Sequence, residues 1–254
     1  MNEKEQILSL VKSDEWPRAV DPDMICDLNS EEDKQSRAEG ILEMLPVVNG
    51  KFLDFGCGEG HLARLIKSET KRAIGYDIES FPTWDEDQTT NWKMVLDNGP
   101  YDLILVYDVL DHCGDPVAAL KQIKQAKAPK GQIFIRFHPW AGRHGGHLYH
   151  TINKAYAHLI LTEDEIEELR ATAPPVNRII HPIATYKSWI KEALSITTNH
   201  AEGYDITEEP AEDFFKETPI IRKRLASTYA KSPVYKDGSF PSNPLKHSFA
   251  DRWI

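Results

Sequence analysis

The sequence predicts an α/β fold in which a mostly parallel, doubly wound sheet is covered by helices on both faces. Three observations support this prediction. Apolar runs of strand length alternate with helical patterns along residues 51–137. A glycine-rich turn at residues 56–60 joins the first of these runs to a helix. Residues 101–107 form a nearly unbroken apolar run, as expected for a central parallel strand covered on both faces.

The elements before the sheet are predicted to be helical. Residues 1–30 are polar and hold two short helical patterns at most, so they are interpreted as a helical N-terminal segment. The stretch from Glu31 to Leu45 predicts a longer helix because its apolar residues fall on one stripe, and Pro46 ends that helix. Asn49-Gly50 then turns the chain into the first strand.

Strands and helices then alternate up to residue 137. Asp115-Pro116 is a good helix start, because an acceptor at the N-cap precedes a proline at the first helical position. Residues 129–131 are predicted to turn the chain into the last strand of this alternating part, and the register of the third strand stays open. The predicted strands are residues 51–55, 72–76, 88–95, 101–107 and 132–137.

The pattern changes after residue 137. Residues 138–161 are rich in histidine, glycine and aromatic residues, and a capping box at residues 162–165 opens another helix. Apolar spacing predicts a further helix around residues 186–193, followed by a last pair of strands. We therefore expect three parts: an N-terminal segment (1–30), a main domain (31–230, with a substrate-recognition insertion at 138–185) and an extended, irregular C-terminal tail (231–254).

Composition narrows the class of protein. The 254 residues are 41% hydrophobic, which is enough for a sizeable core, and the net charge of −10 argues against a general nucleic-acid binder. The three cysteines are scattered, without the spacing of a zinc site or a disulfide framework. No leader and no apolar stretch long enough to span a bilayer is visible. We expect a cytoplasmic protein without a membrane span; its oligomeric state cannot be predicted.

The glycine turn carries the strongest functional signal. Dinucleotide-binding folds use the spacing G-x-G-x-x-G, whereas this turn reads Gly56-x-Gly58-x-Gly60. The segment from Leu53 to Gly60, LDFGCGEG, instead resembles motif I of class I S-adenosylmethionine-dependent methyltransferases. The acid at Asp77, the segment after residue 106 and the turn at 129–131 match further positions of that family in the same order.

This resemblance implies a Rossmann-like sheet of seven mostly parallel strands, with S-adenosylmethionine as cofactor and S-adenosylhomocysteine as product. In the family, the acid that Asp54 matches lies near the cofactor's ammonium, and the acid that Asp77 matches binds both ribose hydroxyls. The adenine contact stays open among Asn91, Trp92 and Asp97, and Trp92 could equally be a core aromatic residue. The residues predicted to bind the cofactor are Asp54, Gly56, Cys57, Gly58, Gly60, Asp77, Ile78, Asn91, Trp92, Tyr107, Asp108 and Val109.

The acceptor side is predicted after the last strand of the alternating part. Histidines cluster among glycines there, and a histidine can take a proton from a hydroxyl near neutral pH. This segment resembles a class I subgroup linked to methylation of glycans and other small molecules. We expect His144 or His147 to be the general base, with His138 next, although a structural role is the ordinary alternative for each. Predicted substrate-binding residues are His112, Trp140, Arg143 and Tyr149.

The expected reaction is therefore methyl transfer to a small-molecule or glycan-like acceptor, at oxygen, with a histidine base. A nucleic-acid or protein acceptor and a catalytically silent cofactor-binding subunit are the alternatives. The histidines lack the i, i+4 spacing of a helical metal site and magnesium prefers oxygen ligands, so the sequence predicts no metal. Cys57 is interpreted as a packing residue rather than a nucleophile.

Overall fold

The computed structural model describes residues 2–20, 30–46, 50–70, 72–137, 143, 146–170, 181, 183–195, 202–205, 214–215, 217–231 and 249–253. The helices and strands of these residues, in chain order, are α1 (Glu3–Lys12), α2 (Glu31–Met44), β1 (Phe52–Phe55), α3 (His61–Thr70), β2 (Ala73–Tyr76), β3 (Gln88–Thr89), α4 (Trp92–Asn98), β4 (Tyr101–Tyr107), α5 (Pro116–Ala126), β5 (Lys127–Phe137), a 3₁₀ turn (Leu148–His150), α6 (Ala157–Ile160), α7 (Glu163–Arg170), α8 (Ile183–Leu194), β6 (Glu202–Asp205), α9 (Pro219–Lys231) and β7 (Phe249–Trp253).

Five parallel strands form the sheet that the alternating pattern predicts. Their order is β3-β2-β1-β4-β5, and β1 lies between β2 and β4 with Asp54 opposite Gly75 and Leu105. The strand order reverses between β1 and β4, which is where open α/β sheets bind ligands. The prediction of an α/β fold with a parallel sheet is confirmed, and the full set of seven strands stays a prediction.

The chain divides into two compact units. The sheet unit comprises residues 26–137, 187–202 and 253–254, and the N-terminal unit comprises residues 1–25, 138–186 and 203–252. The domain boundaries predicted at residues 30 and 230 stay predictions. Among the described helices, none combines the length and the apolar character that crossing a membrane requires.

The core of the sheet unit lies between the sheet and two helices. The apolar stripe of α2 contributes Ala38 and Ile41, and α3 contributes Leu62 and Ile66, which lie four residues apart on one face. Both helices pack against the buried residues of β1 and β4. This packing fixes the N-terminal end of α3, which follows directly on the glycine turn.

A second core holds the N-terminal unit together. Trp16, Tyr156 and Phe215 are almost fully buried and meet the apolar faces of α1, α6 and α9. The predicted capping box is present, because Thr162 accepts from the Glu165 amide at 3.3 Å while Glu165 accepts from the Thr162 amide at 2.9 Å.

Three local predictions are wrong. The strand predicted at residues 88–95 is only Gln88–Thr89, because Asn91 caps a helix there by accepting from the Lys93 amide at 3.0 Å. Residues 129–131 lie inside β5 rather than in a turn before it, and an irregularity in the β4–β5 register accommodates them. In the tail predicted to be irregular, Phe249–Trp253 is a strand.

Candidate functional site

The glycine turn directly after β1 has a backbone that only glycine adopts easily. Gly56, Gly58 and Gly60 have φ angles of +83°, +50° and +82°. A Cβ on Gly56 would lie 2.3 Å from Cγ2 of Val109, whereas a Cβ on Gly58 would meet nothing within 4 Å. Gly56 is therefore required by close packing as well as by conformation.

Neighbouring segments of the sheet unit satisfy the polar groups of this turn. Oδ2 of Asp77, at the end of β2, accepts from the Gly58 amide at 2.8 Å. The Trp84 indole donates to the Gly58 carbonyl at 2.7 Å, and the Thr83 hydroxyl donates to the Glu59 carbonyl at 3.0 Å. The segment between β2 and β3 therefore holds the glycine turn in its conformation.

A cavity of about 300 Å³ opens over the carboxyl ends of β1 and β4. Its size lies at the lower end of the range for small-molecule sites, and its position is the switch point of the sheet. Its lining residues come from α2, β1, the glycine turn, the start of α3 and β4. They are Lys34, Arg37, Ala38, Ile41, Asp54, Gly56, Cys57, Gly58, Glu59, His61, Leu62, Leu105 and Tyr107.

Asp54 places a carboxyl group in the wall of this cavity. Asp54 is only 4% exposed. Burial, and secondarily the charge of Asp77, raises the pKa of Asp54 to about 7. A cation in the cavity would restore the charged form of Asp54, so the site favours a positively charged ligand group here.

Helix α2 brings two cations to the same cavity, and the sequence-based interpretation missed both. Lys34 Nζ lies 2.7 Å from Glu59 Oε2. Arg37 Nη2 lies 3.4 Å from Asp108 Oδ2, and its side chain is 49% exposed. The cavity thus carries a carboxyl group and a guanidinium, which suits a zwitterionic ligand. The spacing of Glu31, Lys34 and Arg37 places them near one another on α2, and this could have indicated the cations. The same spacing is typical of an ordinary solvated helix face, so it was overlooked.

Three residues predicted to bind the cofactor, Tyr107, Asp108 and Val109, lie at the end of β4 or directly after it. Tyr107 lines the cavity, and the Arg136 guanidinium carbon lies 4.5 Å from its ring centroid. Asp108 has a left-handed backbone with φ 55°, and its carboxylate contacts Arg136 and Arg37. Val109 packs against Gly56, so it fixes the turn by its bulk.

The adenine-side predictions divide into packing, capping and exposed residues. Trp92 packs edge-on against Tyr76 and Phe55, with ring centroids 5.1 and 6.0 Å away. The Asn91 side chain caps α4. Ile78 is 81% exposed beside Asp77.

Cys57 packs beneath the turn. A Cβ on Gly75 would lie 2.9 Å from its sulfur, which shows how closely the two chain segments approach. Burial, followed by the charges of Asp54 and Asp77, raises the pKa of the Cys57 thiol, so the thiol stays protonated. This environment suits packing and not nucleophilic chemistry.

The acceptor-side predictions that the structure describes lie mostly in the N-terminal unit. His147 is 3% exposed with a left-handed backbone, and its ring lies 5.9 Å from that of Tyr149. Arg143 donates to the Arg18 carbonyl through Nη2 at 2.6 Å. In the sheet unit, the His112 side chain is 43% exposed.

Three acceptor-side predictions fall outside the described residues. These are His138, Trp140 and His144.

One cluster of potential metal ligands lies at the rim of the cavity. Glu31, Glu59 and His61 have ligand atoms within 4.8 Å of one another. His61 Nε2 lies 2.9 Å from Glu31, and Glu59 forms an ion pair with Lys34. The ammonium of Lys34 already neutralises part of this cluster, which accounts for it as an ion-pair network of the α2 surface.

A comparison with models of protein families finds a match that includes all the residues lining the cavity. The model of a family described as "Methyltransferase domain" matches residues 30–172, which is more than half of the chain. Ubiquinone biosynthesis O-methyltransferase of Pseudomonas aeruginosa is 26% identical over 113 residues. That match covers 39% of this chain and 49% of the enzyme, so the chain spans about half the length of this relative.

Solved structures with a similar chain path include a protein of Pyrococcus horikoshii, PH0226. It is 19% identical, and the alignment covers 71% of this chain and 89% of that one with a TM-score of 0.48. Coclaurine N-methyltransferase bound to N-methylheliamine and S-adenosylhomocysteine is 14% identical, with 96% and 77% coverage and a TM-score of 0.47. At these scores the likeness supports no conclusion about acceptor or partner.

Proposed function

The chain belongs to the family of methyltransferase domains, which use S-adenosylmethionine, and we propose that it methylates an oxygen of a small-molecule or glycan-like acceptor. The observation that carries the cofactor site is the cavity over β1 and β4, in which Asp54 and Arg37 both take part. S-adenosylmethionine carries an ammonium, a carboxylate and a sulfonium, and the sulfonium supplies an electrophilic methyl group. The cavity offers a partner for the first two.

In this proposal, five residues bind or cover different parts of the cofactor. Asp54 pairs with the ammonium and Arg37 with the carboxylate, since each lines the cavity and carries the opposite charge. Asp77, already fixed by the Gly58 amide, accepts from the ribose hydroxyls through its carboxylate. Ile78 covers the adenine, which would bury its otherwise exposed side chain. Tyr107 lines the cavity at the methyl region.

The acceptor reacts at a hydroxyl in this proposal. A histidine takes the hydroxyl proton as the new bond to carbon forms, and His147 is the described candidate beside His144 and His138. The residues proposed to bind the acceptor are His112, Trp140, Arg143 and Tyr149. The 26% identical O-methyltransferase supports transfer to oxygen. Most of the rate enhancement would come from holding hydroxyl and methyl group in line.

Product formation tests this function. Purified protein is incubated with S-adenosylmethionine and a panel of phenols, catechols and sugars, with a structured RNA and a peptide mixture as the alternative acceptor classes. S-adenosylhomocysteine and the methylated acceptor are quantified by mass spectrometry. We expect turnover with a hydroxylated small molecule. Methylation of RNA or peptide alone would refute the proposed acceptor class.

A cofactor-site variant provides the control for that assay. Gly56→Val should abolish both turnover and calorimetric binding of S-adenosylhomocysteine, because its side chain would overlap Val109. Unimpaired binding in Gly56→Val would show that the cofactor site is assigned wrongly.

The base is tested separately. His147→Ala and His144→Ala should each be assayed for turnover while cofactor affinity is monitored. The base should lose turnover at unchanged affinity, and unchanged turnover in both variants would remove them from this role.

A further inference from the structure

Three charged side chains meet at the carboxyl ends of β4 and β5, in the sheet unit. Arg136 Nη1 lies 2.5 Å from Oδ2 of Asp108, and Arg37 Nη2 lies 3.4 Å from the same oxygen. The side chains of Arg136 and Asp108 are 11% and 13% exposed, whereas that of Arg37 is 49% exposed. Two buried groups therefore contact one exposed side chain.

The backbone and the neighbouring ring support the same arrangement. Asp108 has a φ of 55°, a conformation that residues with a side chain rarely adopt and that is retained at a cost. The ring of Tyr107 lies 4.5 Å from the guanidinium carbon of Arg136 and 5.8 Å from that of Arg37. Both arginines thus share one carboxylate and one aromatic ring.

Only one of the three charged residues reaches the cavity. Arg37 lines it, whereas Arg136 and Asp108 are absent from its described lining. Arg37 and Asp108 alone would form a neutral pair with little attraction for an anion. Arg136 adds a positive charge, so the three side chains together carry a net charge of +1 facing the cavity.

We propose that Arg136 is a positioning residue that acts through Asp108 to hold and charge-balance Arg37 for the cofactor's carboxylate. The inference rests on the proposed role of Arg37 in the cofactor site. A guanidinium has five donors in a planar fork, so Arg37 can contact Asp108 through one edge and bind a ligand carboxylate through another. Arg136 itself touches neither the cofactor nor the acceptor.

Two ligands separate this role from a general structural one. S-adenosylhomocysteine carries the amino-acid end with its carboxylate, and 5′-methylthioadenosine has the same nucleoside without that end. Arg136→Met should weaken calorimetric binding of S-adenosylhomocysteine about tenfold, because the aligned guanidinium is lost. Binding of 5′-methylthioadenosine should stay within about twofold of wild type. Arg136→Lys should recover part of the lost affinity, since it restores the charge without the fork.

A double-mutant cycle tests whether the effect of Arg136 on ligand affinity depends on Arg37. Arg37→Met should show the same selective loss, and the double variant Arg37→Met with Arg136→Met should bind no more weakly than Arg37→Met alone. Arg222→Met removes an exposed arginine on α9 as the matched control and should change neither affinity.

Several outcomes would overturn the proposed positioning role of Arg136. Equal weakening of both ligands by Arg136→Met would show a structural role, and additive losses in the double variant would show that Arg136 acts independently of Arg37. Unchanged affinity for S-adenosylhomocysteine in Arg136→Lys and Arg136→Met would also refute it. If wild-type protein bound neither ligand, the assignment of the cofactor site itself would be wrong. That result is distinct from a failure of the proposed positioning role of Arg136.

Discussion

The cavity of the sheet unit and the segment 143–155 of the N-terminal unit are held by different kinds of contact. Around the cavity, charged side chains meet charged side chains, as Lys34 does with Glu59 at 2.7 Å. In the other region, side chains donate to neutral backbone carbonyls of residues 13–20. Arg143 donates to the Arg18 carbonyl and Lys154 to the Ser13 carbonyl, both at 2.6 Å.

The difference indicates what each region responds to. The charge pairs of the cavity respond to a charged ligand and to pH, because each partner's protonation or position depends on the other charges. The carbonyl contacts join residues more than 120 positions apart in sequence, so they exist only when the N-terminal segment is folded against residues 143–155. We therefore expect electrostatic variants to act at the first region and packing variants at the second.

The largest effect is expected from Trp16→Ala in the N-terminal unit. Trp16 is 1% exposed, lies 6.1 Å from the ring of Phe214, and donates from its indole to the Ala155 carbonyl at 2.9 Å. Removing it should lower the free energy of unfolding by about 3–5 kcal/mol, as for other buried aromatic residues. Urea denaturation followed by circular dichroism measures the change.

Trp16→Phe is the matched control for packing. It keeps the ring and loses the indole hydrogen bond, so it should cost about 1–2 kcal/mol. A cost below 1 kcal/mol for Trp16→Ala would contradict the view that the N-terminal segment is integral to this unit.

The next effect compares two glycines of one turn. Gly56→Ala adds a Cβ that overlaps Val109 in a left-handed conformation, so it should lower the free energy of unfolding by about 2–4 kcal/mol. Gly58→Ala meets nothing within 4 Å and should cost about 1 kcal/mol from conformation alone. Denaturation curves of the two variants measure the difference; equal costs would show that packing against Val109 is unimportant.

A third prediction concerns pH at Asp54. Its pKa of about 7 in the free protein should fall when the cofactor's ammonium binds, so binding releases a proton below pH 7. The affinity for S-adenosylhomocysteine should rise about eightfold from pH 6 to pH 7.5 and then level off. Calorimetry in buffers of different ionisation enthalpy would measure the released proton directly.

Asp54→Asn provides the control for this pH dependence. The variant should bind more weakly, and its affinity should be flat over the same range. In the free protein the raised pKa means that stability from the neutral carboxyl is fully present below about pH 4 and is lost as pH rises through about 7. The same affinity slope in Asp54→Asn would assign the proton to another group.

The parallel sheet could be predicted because its signals are local. The apolar run at residues 101–107 and the acids at Asp54 and Asp77 lie in or directly after strands, and the structure places both acids at strand ends over one edge of the sheet. The prediction of a strand at residues 88–95 was wrong because their apolar content is compatible with either a strand or a helix. The capping of α4 by Asn91 decides that segment in favour of a helix.

The contacts of charged residues were harder to predict. Arg143 was expected to bind the substrate, which stays a prediction, and its guanidinium contacts to carbonyls of residues 18 and 19 were not foreseen. Arg37 was overlooked because its spacing on α2 is typical of a solvated face. In both cases the residue type was visible in the sequence, but its partner is fixed by tertiary packing that no local pattern records.

A smaller effect than the preceding ones is expected from Trp84→Phe, beside the glycine turn. The Trp84 ring lies 5.9 Å from that of Phe81. The variant keeps an aromatic ring at this position and loses the indole hydrogen bond to the Gly58 carbonyl. Since Trp84 is half-buried and the carbonyl can turn to water, we expect the free energy of S-adenosylhomocysteine binding to become less favourable by about 1 kcal/mol. That loss corresponds to a roughly fivefold weaker affinity for S-adenosylhomocysteine, measured by calorimetry.

Thr83→Val tests the same support from the neighbouring residue. It removes the hydroxyl that donates to the Glu59 carbonyl, and because Thr83 is exposed its effect should be smaller than that of Trp84→Phe. If neither variant weakens binding, the remaining contacts, among them the Asp77–Gly58 bond and the Arg64 donor to the Glu59 carbonyl, maintain the turn. The donors of residues 83 and 84 would then matter less to the cavity than its charge pairs do.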